Sequence, residues 1–350
     1  MLPGLPVLRT GSLAAMLNVE FAGHPLYDAL ELQWFDDAEH GPGMLAFMTR
    51  TGSRVVDYYR QPGLRVDQAN YQIGAGVGVW AEADFEEAKL EVSDGGVRAD
   101  AVFTDAEGHR IEVRVDDRDG RRRRRGALLA PVSDGIANPT SLFLVWLPRF
   151  DLVRTGRSSP VFRIDGEDLR VGSLPAPRLH RRHLIKYAAP LTTIEVLPDA
   201  TPDDDADDTP TRHVARAIPA SGIVACPLPD GETARLAFDP TPSDVNALPD
   251  GAEDRGTWSA STDGIELAAG EWFVARAGER VTAGLDVTTG WTPRGLPLLM
   301  RIVITVAPVF RRWPTTYRWR ADLGPEGVTS AGWQRTGSAG SDDYRRTTGT

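Results

Sequence analysis

The stretch Val97–Asp116, "VRADAVFTDAEGHRIEVRVD", decides how the chain is read. Two strand-like runs, Val97–Thr104 and Arg110–Asp116, flank "DAEGH", where Gly108 is free to take a positive φ and close a β-hairpin. The same grammar extends in both directions. Upstream, the composition predicts strands at Ala29–Phe35, Met44–Arg50, Arg54–Arg60, Tyr71–Ala81 and Ala88–Val92. Downstream come Ser141–Leu147 and Val161–Ile164, the latter closed by an Asp165-Gly166 turn. With 35 Gly and 26 Pro scattered rather than clustered, long helices have little room to form. About nine strands in roughly 170 residues is the spacing of a barrel or sandwich.

Between Pro198 and Pro210 lies "PDATPDDDADDTP", with six aspartates, three prolines and no large apolar residue. Such a segment cannot bury enough surface to order itself. Beyond it the β pattern resumes at Arg235–Phe238, Thr257–Ser261, Glu271–Arg276, Arg280–Val287 and Leu298–Phe310. Trp313–Trp319 is expected to be a half-buried strand with Trp313, Thr315, Tyr317 and Trp319 on one face. The fold class is therefore mainly β, with two antiparallel β-barrel or sandwich domains. An N-terminal domain is expected over 1–190, an acidic linker or loop over 191–212, a C-terminal β-domain over 213–335 and a disordered tail over 336–350. No internal repeat is visible.

Net charge and cysteine usage exclude whole classes of function. The formal net charge is −10 and the pI about 5.2, which disfavours a surface built to neutralise phosphates, so no nucleic-acid partner is expected. Cys226 is the one cysteine, so neither an intramolecular disulfide nor a multi-cysteine metal site can form. The first twenty residues lack a charged leader before a continuous apolar run, and no run reaches the length that spans a bilayer. A cytoplasmic chain without stable membrane insertion is the expectation. Oligomeric state is not encoded in these patterns.

Against that acidic background, the arginines at 121–125 read as a solvated loop, balanced locally by Asp116, Asp117 and Asp119. Lysine occurs only at Lys89 and Lys186, so arginine stands wherever any cation would serve. "GAGVGVW", Gly74–Trp80, resembles a phosphate loop, but no helix follows it, and close backbone approach is the better reading. "HRRH", His180–His183, lacks a third ligand, and neither His-x-His nor His-Glu-x-x-His occurs, so no metal or other cofactor is expected. Lys186 has apolar neighbours but no companion cation, which favours a paired or snorkelling lysine over Schiff-base chemistry. There is no Gly-x-Ser-x-Gly elbow, and Cys226 reads as a small core residue.

One constellation carries possible chemistry. Alternation in Arg54–Arg60 turns Val55, Asp57 and Tyr59 inward and leaves Arg54, Val56, Tyr58 and Arg60 to solvent. A carboxylate on an apolar face must be hydrogen-bonded or raise its pKa, which suits proton transfer, with Asp57 as the catalytic group and Tyr59 as its partner. A structural Asp–Tyr or Asp–Arg pair is the plain alternative. The same parity turns Leu30, Leu32, Trp34 and Asp36 inward, and Leu142, Leu144 and Trp146 could line the same interior. Trp34, Asp36, Tyr71 and Trp146 are thus the expected ligand-binding residues.

In length, strand order and aromatic content, with a Trp-rich strand near the end, the chain resembles the two-domain lipocalin-like proteins of the AttH and carotenoid 1,2-hydratase type. Natural-product cyclases, Diels–Alderases among them, use similar scaffolds. The resemblance implies a lipocalin-like pair of β-domains holding a terpenoid or polyketide-like small molecule, with no metal or nucleotide. Three functions follow from the sequence. The first is a hydrophobic-ligand protein performing cofactor-free cyclisation, isomerisation or hydration in natural-product biosynthesis. The second is a carrier or sensor on the same scaffold, and the third is a protein-interaction β-sandwich whose aromatics are core.

Overall fold

The computed structural model describes residues 7–53, 55–66, 68, 71, 76–121, 123, 125–131, 138–156, 159–174, 180–197, 213–215, 221–228, 232–244, 247–292, 301, 304–305, 313–325 and 327–336. The described residues are almost all β, with 65% of them in strands and 1% in helix. The strands of its first half are β1 (Val7–Leu13), β2 (Ala15–Glu20), β3 (Tyr27–Phe35), β4 (Gly43–Arg50), β5 (Val56–Arg60) and β6 (Val77–Glu82). They continue as β7 (Phe85–Ser93), β8 (Gly96–Thr104), β9 (Arg110–Asp116), β10 (Gly126–Ala130), β11 (Leu142–Arg154), β12 (Val161–Ile164) and β13 (Glu167–Asp168). Next are β14 (Arg182–Ala188), β15 (Leu191–Leu197), β16 (His213–Ala215), β17 (Ile223–Pro227) and β18 (Thr233–Asp239). The last five are β19 (Glu253–Thr262), β20 (Ile265–Ala277), β21 (Arg280–Gly290), β22 (Tyr317–Gly324) and β23 (Gly327–Arg335).

Three sheets result. The largest runs β16-β1-β15-β11-β14-β2-β3-β4-β5-β6, with β10 added on β11, and is antiparallel except at β5–β6. A five-stranded sheet, β13-β12-β9-β8-β7, contains the hairpin around Gly108, whose φ is +92° as the loop requires. The third is a meander, β17 to β23 in chain order. The fold class expected from the sequence is the one observed: antiparallel-rich sheets curled into half-barrels.

The large sheet is covered on both faces, and this positions everything that follows. Its first face packs Leu17, Val19, Leu30, Leu32, Met44 and Tyr59 against Val97, Phe103 and Val113 of the five-stranded sheet. Its second face curls so that Val145, Leu147 and Phe150 of β11 meet Leu45, Phe47, Val56 and Tyr58 of β4 and β5. Beyond β11, Leu144, Trp146, Ile194 and Val196 pack against the meander. Each large apolar side chain so buried contributes about 1.5–3 kcal/mol.

Several expectations need correction. β5 has no solvent face: Val56 and Tyr58 are as buried as Asp57 and Tyr59, because the curled second face encloses them. Arg54 lies outside the described residues. The residues from Leu191 to Leu197, expected in the linker, form β15, seated between β1 and β11. The Trp-rich strand starts at Tyr317 rather than Trp313, since Pro314 supplies no N–H to a ladder. Arg301, Ile304 and Thr305 are helical, although β-branched residues suggested a strand at 298–310. Residues 198–212 and 337–350 lie outside the described residues.

Candidate functional site

On β3 the two faces carry different chemistry. Leu30 and Leu32 point into the first core, whereas Glu31, Gln33 and Phe35 alternate onto the curled second face. There a polar chain forms in an otherwise apolar wall. The Tyr71 hydroxyl donates to Gln33 Oε1 at 2.6 Å, and Gln33 Nε2 donates to Glu31 Oε1 at 2.6 Å. Asn18 Nδ2 on neighbouring β2 donates to Glu31 Oε2 at 3.1 Å. Burial pushes the Glu31 carboxyl above the usual glutamate range, and the amides of Gln33 and Asn18 and the charge of Lys186 oppose that shift only in part. The Tyr71 phenol is likewise raised, first by burial and then by Glu31.

Aromatic rings run on from this chain. Tyr71 lies 6.0 Å from both Phe35 and Phe47, Phe47 meets Tyr58 edge-on at 5.0 Å, and Tyr58 stacks on Trp80 at 4.5 Å. The result is a carboxyl with a raised pKa, a phenol and two amides bordered by aromatic surface. Such a mixture of apolar wall and few polar groups is how small-molecule sites are built.

Asp57, the residue expected to move protons, is held in an ion pair with Arg50. It is fully buried, and both its oxygens are engaged: Arg50 Nε donates to Oδ2 at 2.7 Å and the Val79 N–H to Oδ1 at 2.8 Å. Gly78 on β6 leaves room for it, since a Cβ there would collide with Oδ1. Arg50 reaches on to Glu107, and the Tyr27 hydroxyl bonds Asp105 Oδ2 at 3.0 Å, so the group closes one end of the first core. Tyr59 sits beside it, its phenol pushed up to about 12 chiefly by burial, and accepts the Ala106 N–H at 3.4 Å. Replacing Asp57 by Asn should therefore lower unfolding stability by about 2–3 kcal/mol, the scale of hydrogen bonds to a charged group, as a denaturant titration would read.

The four expected ligand residues separate. Tyr71 joins the Glu31 chain, Trp34 packs on the first face, Asp36 is exposed and Trp146 turns into the meander core. One enclosed interior does not hold them all, because the large sheet has two buried faces and β11 reaches a third core. Glu31, Gln33 and Asn18 were missed because polar residues alternating with Leu30 and Leu32 read as a solvent face. The available signal lay next door: β4 and β5 are apolar on both faces, and Glu31 pairs with Phe47.

The arginine run divides into exposed and buried members. Arg121 is exposed, but the Arg123 side chain is 5% exposed and pairs with Asp117 at 2.6 Å. It also donates to the Tyr187 hydroxyl at 2.8 Å. Arg154 binds Asp119 at 2.6 Å, and Arg125 lies over the Tyr187 ring. The loop is thus bolted to β11 and β14 rather than free in solvent; Arg122 and Arg124 lie outside the described residues. Lys186 pairs with Glu20. His183 is held below its usual pKa by burial, at the start of β14.

Among the described residues, two sets gather ligand atoms without a sequence motif: Asp37, Glu39 and His40, and Asp105, Glu107 and His109. In both, the aspartate is occupied in its own loop. Asp37 accepts the N–H groups of Glu39 and His40, Asp105 those of Glu107 and His109, and Arg50 holds Glu107. These contacts make them turn-capping groups.

No protein-family model matches the chain, and no curated protein matches it in sequence. No helix among the described residues is long and apolar enough to cross a membrane.

Proposed function

We propose that the curled second face of the large sheet binds a hydrophobic small molecule, terpenoid or polyketide-like, and that Glu31 moves a proton on it without a cofactor. The observation that carries this reading is the Tyr71–Gln33–Glu31–Asn18 chain set among Phe35, Phe47, Tyr58 and Trp80. A carboxyl whose pKa is raised toward neutrality can act as acid and then as base. Protonated Glu31 gives its proton to a carbonyl oxygen or conjugated alkene of the ligand, leaving a cation on the ligand and a carboxylate on the protein. Return of a proton from a neighbouring carbon completes an isomerisation. Attack by an internal alkene before that loss gives cyclisation, and attack by water gives hydration. Gln33 and Asn18 steady the carboxylate, Tyr71 fixes Gln33, and the aromatic wall holds the ligand in a reactive shape. On this reading Asp57 and Tyr59 are structural. The cytoplasm is the proposed setting.

The raised carboxyl has a consequence for stability. The folded state binds the Glu31 proton more tightly than the unfolded chain does, so its contribution is greatest below the ordinary value of 4.5 and falls as pH rises through the raised folded value. Wild-type Tm should decline across that window relative to Glu31→Gln, with no difference in slope below pH 4.5. Parallel Tm curves from acid to neutral pH would remove the proton from Glu31.

A further inference from the structure

Two histidines stand at the end of the first core that Arg50 and Asp57 close, and their ring nitrogens make opposite kinds of bond. His24 lies in the link from β2 to β3, followed by Pro25, Leu26 and Tyr27. Proline has no N–H, so the amides of Leu26 and Tyr27 are the first donors after it. Both donate to His24 Nδ1, Tyr27 at 3.2 Å and Leu26 at 3.4 Å. A backbone N–H only donates, so Nδ1 accepts with its lone pair and the ring is neutral, its proton on Nε2. The ring also stacks on Tyr27, centroids 6.2 Å apart and planes 7° from parallel. Tyr27 is 1% exposed, and its hydroxyl meets Asp105 and Glu107 of the hairpin loop. His24 thus caps the strand whose first ring seals this end of the core.

His109 ends that loop, and its Nδ1 faces a carboxylate instead. It lies 2.7 Å from Asp165 Oδ2, in the turn between β12 and β13, while Asp165 Oδ1 accepts the Arg110 N–H at 2.8 Å. A bond from Nδ1–H to a carboxylate strengthens when the imidazole is charged. The groups around the two rings differ. His24 is faced by Glu167 of β13 and His109 of the hairpin loop, with Tyr27 against its ring and the Arg170 guanidinium beside Gly23. From the turn between β4 and β5, the uncharged Thr51 hydroxyl donates to the His24 carbonyl at 3.0 Å. His109 is faced by three carboxylates, Asp165, Asp105 and Glu107.

We propose that these histidines form an acid-operated latch on the end of the first core: protonation of His24 releases the start of β3, and protonation of His109 tightens the hairpin loop onto the β12–β13 turn. A proton on His24 Nδ1 turns the acceptor into a donor and leaves two backbone donors facing it, so the cap is lost. Burial, with His109 adding to it and Glu167 opposing, holds His24 below its ordinary 6.5. The bond to Asp165, with Asp105 and Glu107 behind it, holds His109 above 6.5. As pH falls His109 therefore charges first, and its charge then resists the second step at His24. The stability that neutral His24 contributes is whole above 6.5 and is lost as pH falls from there through the lowered folded value. That of His109 is whole below 6.5 and is lost as pH rises through the raised folded value. The latch closes the first core, on the opposite face of the large sheet from Glu31, and does not rest on the Glu31 reading.

The test uses the full chain labelled with nitrogen-15, with imidazole nitrogen shifts and amide hydrogen exchange followed from about pH 8 to about pH 5, the range in which histidine changes charge. The imidazole signals are assigned with His24→Asn and His109→Gln. Asparagine is the informative replacement at position 24, because its side-chain oxygen can accept the same two N–H groups and does not titrate. In the wild type, Nδ1 of His24 should be unprotonated at neutral pH. Protection of the Leu26 and Tyr27 amides, corrected for intrinsic exchange, should then fall about three- to tenfold as His24 charges, the worth of one neutral hydrogen bond. In His24→Asn that protection should not change with pH. His109→Gln should raise the His24 midpoint, since the opposing charge is gone. A proton on His24 Nδ1 at neutral pH overturns the proposal, and the wild-type spectrum alone decides this should His24→Asn not fold. So does the same loss of protection in His24→Asn, which would place the titrating group elsewhere, or a His24 midpoint that His109→Gln leaves in place. Glu31→Gln should keep the wild-type response of Leu26 and Tyr27, so the latch and the Glu31 site stand or fall separately.

Discussion

Glu31→Gln is expected to reduce turnover of the bound small molecule by about 10²- to 10⁴-fold, the usual range for a positioned acid or base, while leaving its affinity nearly unchanged. The substitution keeps the size and one acceptor oxygen of the side chain, removes the transferable proton, and puts an NH2 where the second oxygen accepted from Asn18 or Gln33. Asn18 and Gln33 flank the position on the same face, so the local wall persists. Steady-state kinetics and a binding titration on the same preparation separate the two effects. The rate of the wild type should rise and fall with the protonation of Glu31, and that dependence should vanish in the variant. Asp57→Asn should leave turnover per folded molecule intact, since Asp57 is held in an ion pair with Arg50, on the opposite face of the sheet from the Glu31 chain. An unaltered rate in Glu31→Gln would leave a carrier or sensor on the same scaffold.

Arg123→Ala is expected to lower unfolding stability by about 3–5 kcal/mol, the cost of removing one partner from a buried ion pair. Asp117 is itself 6% exposed at its side chain and would be left with Arg154, whose Nε lies at 3.4 Å. The Tyr187 hydroxyl would lose its donor from Arg123 while keeping Asp151 at 3.2 Å. Arg121→Ala, two residues earlier and exposed, should change stability by no more than about 0.5 kcal/mol. Guanidinium chloride titrations of the two proteins compare directly. Equal effects would mean that the run acts as one diffuse charge rather than as a bolt at Arg123.

How far these features can be read from the chain depends on what sets them. The hairpin at Val97–Asp116 and the Asp165-Gly166 turn are local, so glycine placement and alternation reveal them, and the positive φ values of 92° at Gly108 and 84° at Gly166 agree. β1, β2, β14 and β15 were not legible, because their strand character comes from partners far away in sequence, as in the pairing of Val7 with Leu197. Tyr71 was found through its residue type, but Glu31 was not. A polar residue alternating with leucines signals solvent in a sheet with one covered face, and only the curl of the sheet turns that position inward. Asp57 was correctly placed inside by parity, but Arg50, which decides its chemistry, lies one strand away across the β4–β5 pairing. The arginine run misleads for a related reason: composition reports its mean environment, while the Arg123 side chain is enclosed.

The most direct measurement is a titration of the purified chain and its Tyr71→Ala variant with terpenoid and polyketide mixtures, followed by mass spectrometry of the organic extract. The account predicts one enriched apolar species on the wild type, depleted on Tyr71→Ala and retained on Asp36→Ala, since Tyr71 belongs to the Glu31 chain and Asp36 is exposed. Extracts without an enriched species, or one retained equally by Tyr71→Ala, would contradict it.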